Sequence, residues 1–307
     1  YMIDGLEMFG FPYATGDDVR SSPAIADLDK NNSLELIIGS HDGSLHILSG
    51  FGQQLATHQV NGSINGSPAA VDLDQDGDLE VVFTSYNGST GDVHAIHHNG
   101  STFYGFPVYL NEKMVGGAAA GDLDGDGYPE IVVCTDDDNV YAIKKDGSIM
   151  TGFPFTSTDR FFNAPTLVDL DGDSDLEIVV GNRRGTLQVL HHDGTEMASY
   201  EVGDDIRGGI SIADLNDDGS YELLVTSYED MIHVWNPIDG EELEGWPVDL
   251  GSNALTEPAT ADLDNDGDLE VVAATRSGMA YVFHHDATPY NNFPASLGGD
   301  VESSPAI

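Results

Sequence analysis

Six nine-residue segments of the chain place oxygen-bearing side chains at the same spacing. At places one, three, five, seven and nine the first segment has Asp27, Asp29, Asn31, Ser33 and Glu35. The second has Asp72, Asp74, Asp76, Asp78 and Glu80, and the third Asp122, Asp124, Asp126, Tyr128 and Glu130. The fourth has Asp169, Asp171, Asp173, Asp175 and Glu177. The fifth has Asp214, Asn216, Asp218, Ser220 and Glu222, and the sixth Asp262, Asp264, Asp266, Asp268 and Glu270. Of the chain's 54 Asp and Glu residues, 26 fall inside these windows, so the acid is concentrated rather than spread.

Such a set suits a hard divalent cation. Calcium takes about six to eight oxygens at roughly 2.3–2.6 Å and tolerates irregular geometry. A tight loop aims the side chains of places one, three and five at one centre. Gly or Asn at place six permits the sharp turn, the backbone carbonyl of place seven adds a ligand, and the acid at place nine closes the shell. Leucine at place two points the other way, into the core. Magnesium is disfavoured because it retains water rather than accepting an all-protein cage. An EF-hand is excluded: its twelfth-residue Glu is replaced by residues such as Phe83, Val133 and Ala273, and the flanks lack helical periodicity. The loops are unequal. Ser174 stands where Gly is expected, Asn216 carries no charge, and Asn31-Asn32 replaces Asp-Gly in the first and weakest loop. Six bound calcium ions would bring the net charge from -44 to -32.

Such tips must be held by regular elements. The first Asp recurs at 27, 72, 122, 169, 214 and 262, a mean step of 47 residues, and a period of that size signals an array or a propeller. After each closing acid comes a short, mostly β-branched run, as in Ile131-Val-Val-Cys134, which reads as a strand buried on both faces. A second strand follows, then an Asn-Gly or Asp-Gly turn at Asn99, Asp146, Asp193 and Asp239. Such pairs supply the positive φ of tight hairpins. Seven residues on, aromatic-Pro pairs appear at Phe106, Phe153, Trp246 and, after Asp286, Phe293. Another short strand precedes each loop. Four strands per repeat make one blade, and the expected fold is an all-β propeller forming a single domain over 1–307. Repeats fall near 18–60, 61–107, 108–154, 155–202, 203–247 and 248–294, with partial repeats at 1–17 and 295–307.

The end segments are parts of repeats. Asp4-Gly5 precedes Phe11-Pro12 by the seven-residue interval, and Asp300 to Ile307 nearly copies Asp18 to Ile25. Seven repeats of 47 need 329 residues, 22 more than the 307 present. The expectation is a seven-bladed ring whose seventh blade is incomplete in this chain, cut from a longer polypeptide. Six blades, eight blades or completion by another chain are the alternatives.

Composition bounds the partners. With 54 acids against 10 bases, phosphate backbones and anionic membranes are poor partners, so no nucleic acid is expected. No apolar run approaches the roughly 20 residues of a spanning helix, so no membrane insertion is expected. The single cysteine, Cys134, rules out an internal disulfide framework and reads as a buried small hydrophobe. His97-His98, His191-His192 and His284-His285 each precede a turn. They read as strand ends, with a transition-metal site as the alternative. The aromatic-Pro pairs read as packing at blade edges, with sugar sites as the alternative. Sequons at Asn31, Asn61, Asn65, Asn87 and Asn99 read as turn chemistry. No zinc-protease, serine-hydrolase or phosphate-loop motif is present.

The loops, the Gly116-Gly-Ala-Ala-Ala-Gly-Asp122 stretch and the Gly-Phe-Pro elements resemble FG-GAP/VCBS repeats over nearly the whole chain. That family builds the seven-bladed propeller at the head of integrin α chains, and similar propellers of fungal lectins and bacterial secreted or surface proteins. The resemblance implies calcium held in β-hairpin loops, structural cations, and partners on loops at one face. It implies an extracellular or cell-surface, non-catalytic module for adhesion, recognition or scaffolding, with a protein or glycan ligand and other domains of a longer chain as partners. A lectin and a polysaccharide-degrading propeller enzyme are the alternatives.

Overall fold

The computed structural model describes residues 8–301 and 303–307. Asp4, Gly5 and Glu302, used above to place the end segments, lie outside the described residues. The chain divides into two compact units, Tyr1–Thr156 and Ser157–Ile307, each with three sheets.

In the first unit, one sheet comprises β1 (Ala24–Ala26), β2 (Glu35–Gly39), β3 (Ser44–Ser49) and β4 (Gln54–Gln59). The next comprises β5 (Ala69–Val71), β6 (Glu80–Tyr86), β7 (Gly91–Ile96) and β8 (Val108–Glu112). The third comprises β9 (Ala118–Gly121), β10 (Glu130–Cys134), β11 (Asn139–Ile143) and β12 (Phe155–Thr156). In the second unit the sheets are β13 (Thr166–Val168), β14 (Glu177–Gly181), β15 (Thr186–Leu190) and β16 (Glu196–Glu201); then β17 (Ser211–Ala213), β18 (Glu222–Thr226), β19 (Met231–Trp235) and β20 (Val248–Asp249); then β21 (Ala259–Ala261), β22 (Glu270–Ala274), β23 (Met279–Phe283) and β24 (Ala295–Ser296). Each is a four-stranded antiparallel meander in chain order. No helix occurs among the described residues.

Burial follows the pattern of the sequence. Strands β10, β14 and β18 are buried at every position, as expected for central strands. In β2, Leu36 and Ile38 are only half-buried, which corrects the two-faced reading for the first repeat. Cys134 is buried at the end of β10, and its thiol is pushed up by desolvation. The Asp-Gly and Asn-Gly glycines take left-handed backbone, with φ +83° at Gly100 and +80° at Gly194. Phe106 and Trp246 of the aromatic-Pro pairs are buried, the latter edge-on to Phe283 at 5.7 Å.

Cores form between successive sheets within each unit. The leucine at place two of a loop packs on the second strand of the following repeat: Leu28 with Val81 and Phe83, Leu73 with Ile131 and Val133. Leu170 does so with Leu223 and Val225, and Leu215 with Val271 and Ala273. Burying such a side chain contributes roughly 1.5–3 kcal/mol, so these four acidic tips are anchored by the neighbouring sheet. Leu263 departs from the expectation. It is 38% exposed.

Candidate metal centres

Each acidic segment links the first strand of a sheet to the second. Its backbone is folded by its own side chains. Place five donates its N–H to the place-three side chain, as Asp126 to Asp124 Oδ1 at 3.2 Å. Place seven donates to place five, as Tyr128 to Asp126 Oδ1 at 2.8 Å. The first aspartate takes N–H groups further on, as Asp27 from Asn31 and Asn32 and Asp214 from Asp218 and Gly219. These short-range bonds turn the loop back on itself. Place six is left-handed in all six loops, at Asn32, Gly77, Gly127, Ser174, Gly219 and Gly267. Place four is too, at Lys30, Gln75, Gly125, Gly172, Asp217 and Asn265. Reading the sequence missed place four, because only two of its six residues are glycine.

The closing glutamate is the most regular element. One of its oxygens accepts the N–H of place two in every loop: Leu28, Leu73, Leu123, Leu170, Leu215 and Leu263, at 2.7–3.1 Å. Glu80, Glu177, Glu222 and Glu270 are fully buried by this. The second oxygen meets a histidine in the second, fourth and sixth loops. Ligand atoms of Asp27, Asp29 and Glu35 lie within 4.8 Å of one another, as do those of Asp72, Asp74 and Glu80 and of Asp122, Asp124 and Glu130. In the fourth loop Asp171 and Glu177 are joined by His191, and in the sixth Asp264 and Glu270 by His284. The predicted places one, three and nine therefore converge in the first three loops, and three and nine in the fourth and sixth. At place five, one oxygen of Asp76, Asp126, Asp173, Asp218 and Asp266, like Oδ1 of Asn31, is turned to the loop's own backbone.

The loops crowd negative charge onto buried carboxyls. Burial first, and repulsion from Asp124 and Asp126 second, push the Glu130 carboxyl up to about 7. Burial and the charges of Asp218 and Asp214 push Glu222 up to about 7. Burial is also the leading cause of the rise at Glu80 and Glu177. Oδ1 of Asp72 and of Asp122 and Oε1 of Glu222 are buried without a hydrogen-bond partner. Crowded, orphaned carboxylate oxygens fit a hard divalent ion, which would pair them all at once.

Basic side chains of the next hairpin also reach the loops, a contact with the acids that the strand-end and transition-metal readings of the histidine pairs did not include. His97 Nδ1 lies 3.0 Å from Glu80 Oε1, His191 3.4 Å from Glu177 and His284 3.0 Å from Glu270. The second histidine of each pair meets place seven: His98 with Asp78, His192 with Asp175 and His285 with Asp268. In the third loop Lys144 takes the place of the first histidine, and Lys145 sits over the Tyr128 ring. The signal was in the sequence. Aspartate occupies place seven only in the three repeats that carry a His-His pair.

The FG-GAP-like repeat family matches at residues 72–133, 122–180, 169–225 and 214–273, together more than half of the chain. No curated protein matches. Among solved structures, BBS1N in complex with ARL6DN is similar with a TM-score of 0.62 and 13% identity, over 88% of this chain and 81% of that one. BamB from Moraxella catarrhalis gives 0.59 and 15%, over 93% and 91%. The V. cholerae biofilm matrix protein Bap1 gives 0.59 and 22%, over 79% of this chain and 42% of that one. At these identities the likeness is one of fold, the β-propeller.

Proposed function

The chain belongs to the FG-GAP-like repeat family, and we propose that it is a calcium-binding β-propeller module serving adhesion, ligand recognition or scaffolding without catalysis. The observation that carries the metal reading is the convergence of places one, three and nine on buried, unpartnered oxygens. Asp27, Asp29 and Glu35 open the series, and the same places in the other loops continue it, to at most six ions. The ions act structurally. Each neutralises a knot of carboxylates, and in four loops the place-two leucine beside that knot packs on the neighbouring sheet. Oxygen-rich module sites of this class bind calcium at about 10⁻⁴–10⁻³ M, which suits the calcium-rich exterior of cells. An extracellular or cell-surface location follows from that match.

Partners are proposed to be proteins or glycans met on loops. The BBS1N structure is of a complex with ARL6DN, which supports a protein partner for this fold. Bap1, a biofilm matrix protein, supports a role outside the cell. Thermal unfolding tests the metal reading. Chelator lowers the melting temperature and calcium, not magnesium, restores it, because an ion that binds only the folded state stabilises it. An unchanged melt in chelator and in calcium would refute structural metal.

A further inference from the structure

The turn between the second and third strands lies at the opposite end of the second strand from the acidic loop. There a backbone hydrogen bond recurs in all six repeats, always between residues 23 apart. His41 donates to Asp18, Tyr86 to Ser63, Asp136 to Lys113, Arg183 to Arg160, Tyr228 to Asp205 and Arg276 to Asn253. The bond puts the two side chains of each pair on one surface. In the third repeat they are opposite charges, with Lys113 Nζ 2.6 Å from Asp136 Oδ2. In the fourth both are arginines, in a chain that has only six.

A third arginine joins them. Arg160, Arg183 and Arg207 stand 5.8, 4.9 and 5.6 Å from the centre of the Phe162 ring, and Arg207 is also 4.6 Å from that of Tyr228. Aromatic faces hold guanidinium planes in fixed orientations. Asp205, 6% exposed, accepts Nε of Arg183 at 3.1 Å and of Arg207 at 2.8 Å with the same oxygen. Its other oxygen is buried with no partner. Both guanidinia are thus tied down through Nε, and their side chains are 27% and 37% exposed. Their Nη edges make no hydrogen bond among the described residues. One carboxylate is thus shared by two guanidinia, and an anion on their open Nη edges would complete the pair.

We infer that Arg183, Arg207 and Phe162, flanked by Arg160 and Tyr228, form a binding site for a carboxylate carried on a sugar, as in a hexuronate. A guanidinium fork matches a carboxylate in two parallel hydrogen bonds. The net charge of -44 repels a densely anionic polymer, so the ligand carries one charge on a neutral body. The rim agrees with that. Asp159, Asp204 and Glu229 flank the arginines along the chain: Asp159 accepts the N–H of Arg160, Asp204 that of Asp205, and Glu229 follows Tyr228. These carboxylates accept hydrogen bonds from sugar hydroxyls and repel the further acids of an acidic peptide.

The test follows the Arg side-chain Nε–H resonances of the ¹⁵N-labelled full chain in calcium. Sodium glucuronate shifts Arg183 and Arg207 saturably and leaves Arg20 and Arg276 in place. Glucose shifts neither, and acetate and a peptide with one carboxylate bind about tenfold more weakly. Arg207→Gln abolishes saturation while the backbone amide spectrum stays folded. The inference is overturned by the absence of saturation, by equal shifts at all arginines, by acetate binding as well as glucuronate, or by the peptide binding more tightly.

Discussion

Lys144 Nζ lies 3.3 Å from Asp124 Oδ2 and 3.9 Å from Glu130 Oε1, inside the third acidic loop. The equivalent residue of the second, fourth and sixth repeats is a histidine on the closing glutamate. The third loop therefore carries its own cation, and that ammonium opposes the entry of a dication. The acids hold it in return, since hydrogen bonding and charge from Asp124 raise the Lys144 ammonium above its usual range against the opposing effect of burial.

Lys144→Ala should therefore tighten calcium binding at one of the sites. Lys144 is 37% exposed and can swing into solvent, so the gain is modest, about five- to tenfold in affinity. Calorimetric titration of the chelator-treated protein reads this directly. An isotherm identical to that of the parent chain would show that the ammonium does not compete.

Ser174 has φ +82° at the sixth place of the fourth loop, where four other loops have glycine. Left-handed backbone costs a residue with a Cβ roughly 1–2 kcal/mol relative to glycine. Ser174→Gly should stabilise the folded chain by about 1 kcal/mol, with a rise in melting temperature of about 2 °C. A lower melting temperature would mean that the hydroxyl makes a contribution larger than the strain it brings.

The periodic parts of the molecule were legible in the sequence, and the parts that depend on a neighbour were not. Four strands per 47 residues follow from local pattern: β-branched runs, Asn-Gly turns and Asp at alternating places. The place-nine glutamate was read as a ligand, whereas half of its carboxylate holds the loop through the place-two N–H. That second role needs the fold, because Leu73 N and Glu80 Oε2 meet only once the loop has closed. Lys144 and the histidine pairs lie 14 to 20 residues beyond the acids they touch, outside any local motif. The exposure of Leu263 depends on what lies next to it, which the identical Asp-Leu-Asp spacing does not encode.

His94 is stacked on Phe83 at 4.9 Å and its Nε2 lies 2.9 Å from Ser85 Oγ. Burial, and then the His58 imidazole, lower its pKa from 6.5 to about 4. The folded state thus keeps the ring neutral where the unfolded chain protonates it. Stability from this group is whole above pH 6.5 and is lost as the pH falls from 6.5 towards 4, by about 3 kcal/mol in all. His94→Gln removes that component. Plotted against pH, the stability of the parent minus that of the variant should fall by this amount across the window. A flat difference would remove His94 as a source of acid sensitivity.

Leu73 and Leu263 occupy the same place of the second and sixth loops, one fully buried and the other 38% exposed. Leu73→Ala opens a cavity between two sheets of the first unit, lined by Ile131 and Val133, and should cost about 2–5 kcal/mol. Leu263→Ala removes a side chain that is partly in water already and should cost under about 1 kcal/mol. Denaturant unfolding of both variants in calcium makes the comparison. Equal losses would mean that Leu263 is covered in solution, and would place a further apolar surface against the sixth repeat.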